Sequence, residues 1–304
     1  MLSHDNPYFQ QVALLVESLP LVAREPCFAL KGGTAINLFV RDLPRLSVDI
    51  DLAYLPVQDR PTSLAEIGAA LERIAAAIEH AFRGAVVQRI TAEGSLVKLF
   101  VRRGSARIKI EVSPVLRGCV REHVALELCP ALQEEFGTVE APVLHLDDLY
   151  AGKLCAALDR QHPRDLFDVR QLLAAEGINE DLIEVLIVYL LSGDRPLAEL
   201  LRPNRQPLEA VFEAEFRGMT IQSTSVSELE QTREAMIARI HEMLSDRHRD
   251  FLLGFKRGEP DWKLLKLPGV EHLPAVQWKL LNVRRMTRAR REAAIENLRR
   301  ALYA

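Results

Sequence analysis

A chain of 304 residues with 48% apolar side chains holds one large domain or two of ordinary size, and its apolar content excludes global disorder. Lys and Arg number 39 against 42 Asp and Glu, a net charge of −3, so any nucleic-acid contact has to come from a local basic patch. The four cysteines, Cys27, Cys119, Cys129 and Cys155, form no C-x-x-C pair, which argues against a zinc site or a disulfide framework and for reduced thiols.

Met1 to Gln10 is polar and lacks the basic-then-apolar order of a signal peptide. Asn6 to Ser18 carries Phe9, Val12, Leu15 and Val16 at helical spacing, predicting a helix that packs on a sheet. Cys27 to Leu30 reads as a short strand running into Lys31-Gly32-Gly33-Thr34. Two glycines there permit a tight turn whose amides approach a phosphate, with the Thr34 hydroxyl as a further donor and the helical stretch Ala35 to Val40 behind it. In Val48 to Leu52, Asp49 and Asp51 share one strand face while Val48, Ile50 and Leu52 take the other. Two like charges at that spacing repel unless a cation lies between them. A Gly-Gly turn for a triphosphate and an Asp-x-Asp for a divalent metal are what phosphoryl or nucleotidyl transfer requires. A Gly-Gly pair alone is most often only a turn; the aspartates on a buried strand carry the argument.

After a loop containing Pro56 and Pro61, Ser63 to Phe82 shows one apolar face of a long helix. Ser95 to Val101 and Ala106 to Val112, joined by Arg102-Arg103-Gly104-Ser105, predict an antiparallel hairpin. Ile108, Ile110 and Val112 face one way and Arg107, Lys109 and Glu111 the other, so Glu111 is the natural third carboxylate of a magnesium-binding cage. A solvated strand face is the bland alternative. Leu146 to Arg160 reads as a helix with Asp147 in a cap-like place and Lys153 midway. A break at Gln161-His162-Pro163 leads into a second helix, through Asp165 and Asp168 to Ala175, ending at Gly177.

From Asn179 the chain is helical in pattern. Its longest apolar stretch, Leu182 to Leu191, is too short to span a bilayer and contains Glu184, so no membrane association and a cytoplasmic location are expected. Val226 to Leu244 has a helical stripe, with Ser227 and Glu230 resembling a capping box. The tail holds seven arginines between Arg284 and Arg300 against Glu292 and Glu296. Such a patch suits a phosphate backbone, and Arg288, Arg290 and Arg291 are its candidate contacts to an acceptor. The composition shift near residue 178 predicts a core over 1–178 and a helical domain over 179–304.

Lys31-Gly32-Gly33-Thr34 and Asp49-Ile50-Asp51, in this order, resemble the DNA polymerase beta-like nucleotidyltransferases. Adding Arg45-Leu46-Ser47, the strand ending at Glu111, and Lys153 with Arg160 and Arg164-Asp165-Leu166-Phe167-Asp168 sharpens the likeness to the AbiEii-type nucleotidyltransferase toxins, which include the MenT toxins. Phe216 to Thr220, Gly258 to Trp262 and Leu273 to Trp278 match as well, so the resemblance spans nearly the whole chain; Glu111 stands where an aspartate is frequent. The resemblance implies an α+β fold, with a mixed sheet and helices in a polymerase beta-like core followed by a helical C-terminal region. It implies transfer of a nucleoside monophosphate from an NTP in a bacterial toxin–antitoxin or phage-defence system, with a cognate antitoxin as partner and, for MenT-like members, the tRNA 3′ end as acceptor.

On that basis Asp49 and Asp51 would hold Mg²⁺, and Glu111 would complete a metal position or take the proton from the attacking hydroxyl. Lys31, Gly32, Gly33, Thr34 and Ser47 would orient phosphates, and Lys153 would neutralise charge on them. Asp165 or Asp168 would position Lys153, Arg164 or the nucleotide. Mid-helix Lys153 is expected to have little structural weight. Two alternatives remain at this level: an enzyme modifying a protein or small molecule, and a catalytically silent NTP-binding module.

Overall fold

The computed structural model describes residues 8–92 and 94–303; the expected helix start at Asn6 and most of the polar leader lie outside them. The chain divides into two compact units, one running up to His145 and including Met219–Gln222, the other formed by Leu146–Gly218 and the residues from Ser223 on. That seam precedes the composition shift near residue 178. Strands end with the first unit, but the two helices that follow pack on later helices and thus belong with them.

The first unit opens with α1 (Phe9–Val22) and β1 (Phe28–Lys31), then α2 (Gly32–Ala35), which continues as a wider π turn over Ile36–Val40. β2 (Asp49–Tyr54) precedes the long α3 (Arg60–Ala81). Pro61, expected in a loop, lies in the first turn of α3, where its missing N–H costs nothing, and the Asp59 carboxylate caps that turn by accepting from the Thr62 N–H at 3.0 Å. β3 (Val86–Ala92), β4 (Ser95–Arg103), β5 (Ala106–Arg117), β6 (Val124–Glu127), α4 (Pro130–Phe136) and β7 (Glu140–Val143) complete the unit.

The strands form one mixed sheet in the order β3-β4-β5-β2-β1-β7-β6, with β2 parallel to β5 and antiparallel to β1. Helices α1 and α3 pack on it, against the apolar side chains Ile50, Leu52, Leu99, Val101, Ile108 and Ile110, all buried. Strand alternation therefore sends Asp49, Asp51, Lys109 and Glu111 to the opposite face. The detached segment Met219–Gln222 joins the loop before β2: the Leu46 N–H donates to the Met219 carbonyl at 2.8 Å and the Ile221 N–H to Pro44 at 3.1 Å.

The second unit is helical among the described residues: α5 (Leu146–Arg160), α6 (Pro163–Ala174), α7 (Glu180–Ser192), α8 (Leu197–Leu201), α9 (Glu209–Glu215), α10 (Val226–Met243), α11 (Asp246–Arg257), α12 (Pro274–Arg284) and α13 (Arg288–Tyr303). Apolar nearly all round, α7 is central, with α5, α10 and α12 against it. Asp147 sits inside the first turn of α5 rather than capping it. The capping box of α10 is Ser225 with Glu228, not Ser227 with Glu230. Ser-Val-Ser-Glu-Leu-Glu contains two S-x-x-E spacings, and Ser225 is the serine held extended ahead of the first turn. No helix among the described residues is long and apolar enough to cross a membrane.

Candidate active site

Strand register gathers the charged residues of the first unit into a row. Lys31 on β1 is paired with Asp51 on β2, Asp51 with Glu111 on β5, and Glu111 with Lys98 on β4. One step along, Asp49 is paired with Lys109. The Lys98 ammonium lies 2.8 Å from Glu111, and Lys109 lies 2.9 Å from Glu111 and 3.6 Å from Asp49. Burial alone would push the Glu111 carboxyl up, but the hydrogen bonds from Lys98 and Lys109 outweigh it and hold it below its ordinary value. Burial pushes the Lys31 ammonium down, partly opposed by Asp51 and Glu111.

The glycines are built closely against this row. Gly32 has φ +74°, the left-handed conformation that turns the chain from β1 into α2, and a Cβ there would stand 2.6 Å from Oδ2 of Asp51. A Cβ on Gly33 would stand 2.5 Å from Nη2 of Arg45 and 3.2 Å from Oγ of Ser47. Arg45 is buried and donates to the Leu46 carbonyl at 2.9 Å. Thr34, expected to donate to phosphate, is also buried, and its hydroxyl proton goes to the Asp49 carbonyl. Ser47 Oγ, 2.9 Å from Thr34 Oγ1, is then the donor of that pair. Thr34 and Ser47 thus tie the start of α2 to the strand that carries both aspartates.

In the second unit Lys153 is buried, at 2.8 Å from Asp165 and 2.9 Å from Asp168. Arg160 adds Nε to Asp165 at 2.5 Å and Nη2 at 3.0 Å. Burial opposes ionisation of Asp165, yet Lys153 and Arg160 together hold its carboxyl far below the usual range. Both aspartates therefore hold Lys153. Arg164 is outside this group, 3.6 Å from Glu215. The expectation that Lys153 lacks structural weight is overturned, because its side chain is 6% exposed between carboxylates 1% and 0% exposed. Arg288 pairs with Glu292 at 2.7 Å on α13, beside exposed Arg290 and half-buried Arg291.

The family model described as the nucleotidyl transferase AbiEii toxin of type IV toxin–antitoxin systems matches residues 13–282. This chain belongs to the AbiEii family. It is a nucleotidyltransferase, and that setting implies an NTP as substrate and an antitoxin as partner. No curated protein matches the sequence significantly. Among solved structures it is similar to MenT4, a nucleotidyltransferase toxin from Mycobacterium tuberculosis, at 18% identity with a TM-score of 0.58 over 95% of this chain and 91% of that one. At that identity the likeness is one of fold. Terminal uridylyl transferase 4 from Trypanosoma brucei, with bound dUTP, aligns at 13% identity and a TM-score of 0.30 over 97% and 92% of the two chains, too slight a likeness to bear on this one.

Arg45, Lys98, Lys109 and Arg160 join these clusters without having been singled out as site residues. Lys109 was visible as a charge sharing the parity of Glu111. Lys98 needed the exact hairpin register, which pairs it with Glu111 only once the two-residue connection at Gly104 and Ser105 is fixed.

An AbiEii nucleotidyltransferase whose residues suit a divalent metal should offer hard oxygen donors and space beside them. Asp49 and Asp51 supply the oxygens, and the missing Cβ of Gly32 leaves room at Asp51. Glu111 is turned to its lysines, and among the described residues no group of three His, Cys, Asp or Glu side chains is gathered for a metal. The pair Asp49 and Asp51 fits such an ion; Glu111 would join once Lys98 and Lys109 release it.

Proposed function

We propose that this AbiEii enzyme acts in the cytoplasm as a Mg²⁺-dependent toxin of phage defence, transferring a nucleoside monophosphate from an NTP to the 3′ end of tRNA and so blocking translation. The observation that carries this reading is the row Lys31, Asp51, Glu111 and Lys98 with Gly32 pressed against Asp51. The acceptor hydroxyl oxygen attacks the α-phosphorus and gives up its proton to a carboxylate or to water, the bond to the β-phosphate breaks, and pyrophosphate leaves with the electron pair. Asp49 and Asp51 would hold the metal, which supplies positive charge to the triphosphate. The first-turn amides at Gly32 and Gly33 would orient phosphate oxygens, with Lys31 beside them. Glu111, once its lysines release it, would complete a second metal position or take the proton from the attacking hydroxyl. Lys153, held in one orientation by Asp165 and Asp168, and Arg164 are read as further phosphate contacts.

The direct test incubates the protein with total tRNA, Mg²⁺ and each labelled NTP in turn. Label on tRNA is expected; label on protein with tRNA bare would select the other acceptor class.

Gly32→Ala should separate the glycine from an ordinary turn. A left-handed alanine costs about 1 kcal/mol, and its Cβ would force Asp51 to rotate. Transfer is expected to fall by at least about tenfold, the change a loss of 1.4 kcal/mol produces, with a higher Mg²⁺ requirement and only a small drop in melting temperature. Unchanged Mg²⁺ dependence would detach Gly32 from the carboxylates.

The α13 arginines are read as acceptor contacts. Replacing Arg288, Arg290 and Arg291 with alanine should weaken tRNA binding and flatten its salt dependence by roughly 0.7 to 0.9 in log–log slope per lost phosphate contact, with Mg-NTP affinity unaltered. The measurement is binding across a salt series; an unaltered slope in the folded variant would remove this helix from the acceptor site.

A further inference from the structure

The arginines of β3 and β4 on the helix side of the sheet have counter-charges: Arg89 pairs with Glu72 and Glu79, and Arg103 with Glu17. Arg102 and Arg107 differ. They take the opposite face, the one that carries Glu111, where both are exposed and have no carboxylate partner among the described residues. Strand register sets them directly opposite each other on β4 and β5, a placement that leaves the two Cβ atoms about 5 Å apart and makes like charges repel. Their neighbours on this face do not relieve them. Val86 and Gln88 on β3 and Phe100 on β4 are uncharged, and Lys109, paired with Phe100, adds a further cation. The Arg107 guanidinium lies 4.1 Å from the centroid of the Phe100 ring, a contact that fixes the end of this side chain beside the sheet.

An anion between two opposed guanidinium groups removes their repulsion and accepts hydrogen bonds from both. We propose that Arg102 and Arg107 bind a backbone phosphate of the nucleic-acid acceptor and lead its single-stranded end along the open face of the sheet to the carboxylates. Four residues of β5 take the chain from Arg107 to Glu111, about 13 Å of extended strand, so a single strand held at the arginine pair has a short path to the metal ligands. Lys98 and Lys109 lie along that path but are engaged by Glu111, and the two arginines carry the contact. Nucleic acid is favoured over an acidic protein by the position of Arg107 on Phe100, since a guanidinium lying on an aromatic ring can stack against a base with its other face while its N–H edge meets the phosphate. The inference rests on the reading that the acceptor is a nucleic acid.

The test is Arg102→Gln with Arg107→Gln in the full chain, read by the binding of total tRNA and of a labelled single-stranded oligoribonucleotide across a salt series. Both side chains are exposed, so the melting temperature should equal or slightly exceed that of the wild type once the repulsion is gone. Affinity for either RNA at low salt should fall about tenfold, with the log–log salt slope reduced by roughly 0.7 for the one phosphate lost, while Mg-NTP affinity is unchanged. Arg102→Lys with Arg107→Lys should restore the slope, because it returns the charge; a slope that stays lowered there overturns the phosphate contact. Unchanged RNA affinity and slope in the folded glutamine variant overturn the site alone. Wild-type binding of polyglutamate that matches RNA binding and is lost in the glutamine variant overturns it too, assigning the face to an acidic protein. Loss of Mg-NTP binding with RNA binding intact assigns the arginines to the nucleotide instead. A wild-type protein that binds neither RNA overturns the acceptor reading with it.

Discussion

Asp51→Asn and Asp49→Asn should each lower nucleotidyl transfer by about 10³-fold or more, with the first unit still folded. The reasoning starts from charge. Asparagine keeps the shape and one oxygen but removes the negative charge that a hard divalent ion requires, and metal stabilisation of developing charge is worth several kcal/mol, about tenfold for each 1.36 kcal/mol. The structural consequences are small by comparison. Asp49 is half exposed near Lys109, at 3.6 Å, an ion pair worth about 1 kcal/mol at most. Removing Asp51 takes a partner from Lys31 but leaves Glu111 near it and relieves repulsion along the row. Transfer of labelled NTP measured against Mg²⁺ concentration, together with thermal melting, separates these effects. Turnover within tenfold of wild type in either folded variant would falsify the metal assignment.

How far the site could be read depended on whether its neighbours were set by parity or by register. Asp49 and Asp51 share a face because a strand repeats every two residues, and Glu111 follows from the alternation with Ile108, Ile110 and Val112, so these three were legible without coordinates. The lysines that engage Glu111 were not, since a shift of one residue in the β4–β5 hairpin would replace Lys98 by an apolar neighbour. Strands β3 and β6 lay outside the pattern for another reason. Both are largely exposed edge strands, and Val124–Glu127 buries none of its four residues, so no apolar alternation marks them. The inclusion of Met219–Gln222 in the first unit depends on a backbone pairing with Arg45 and its neighbours that no local pattern encodes. Thr34 shows a further limit: a hydroxyl next to two glycines reads as a phosphate donor until its burial shows what it bonds.

Lys153→Met should destabilise the second unit by about 3–5 kcal/mol, because it leaves Asp165 and Asp168 buried with their principal counter-charge gone. Arg160 still reaches Asp165, but its side chain is 64% exposed, so it replaces the buried ammonium only in part. Loss of transfer in this variant would therefore be ambiguous by itself, since folding and phosphate contact fail together. Removing all three charges, as Lys153→Met with Asp165→Asn and Asp168→Asn, should recover much of the stability, because a buried ion cluster replaced by neutral groups of similar shape is often close to neutral. Transfer should stay lost if Lys153 meets the triphosphate. Acid adds a second check. The Asp165 carboxyl is depressed in the folded state, so its stabilising contribution is fully present above the ordinary value of 3.8 and disappears as the pH falls from there through the folded value. In Lys153→Met the folded value rises, and that acid-dependent loss should shrink in urea melts of the second unit followed from pH 5 downward. A single-variant stability equal to wild type would show that Lys153 leaves its aspartates without cost, and the buried cluster would then lose its structural role.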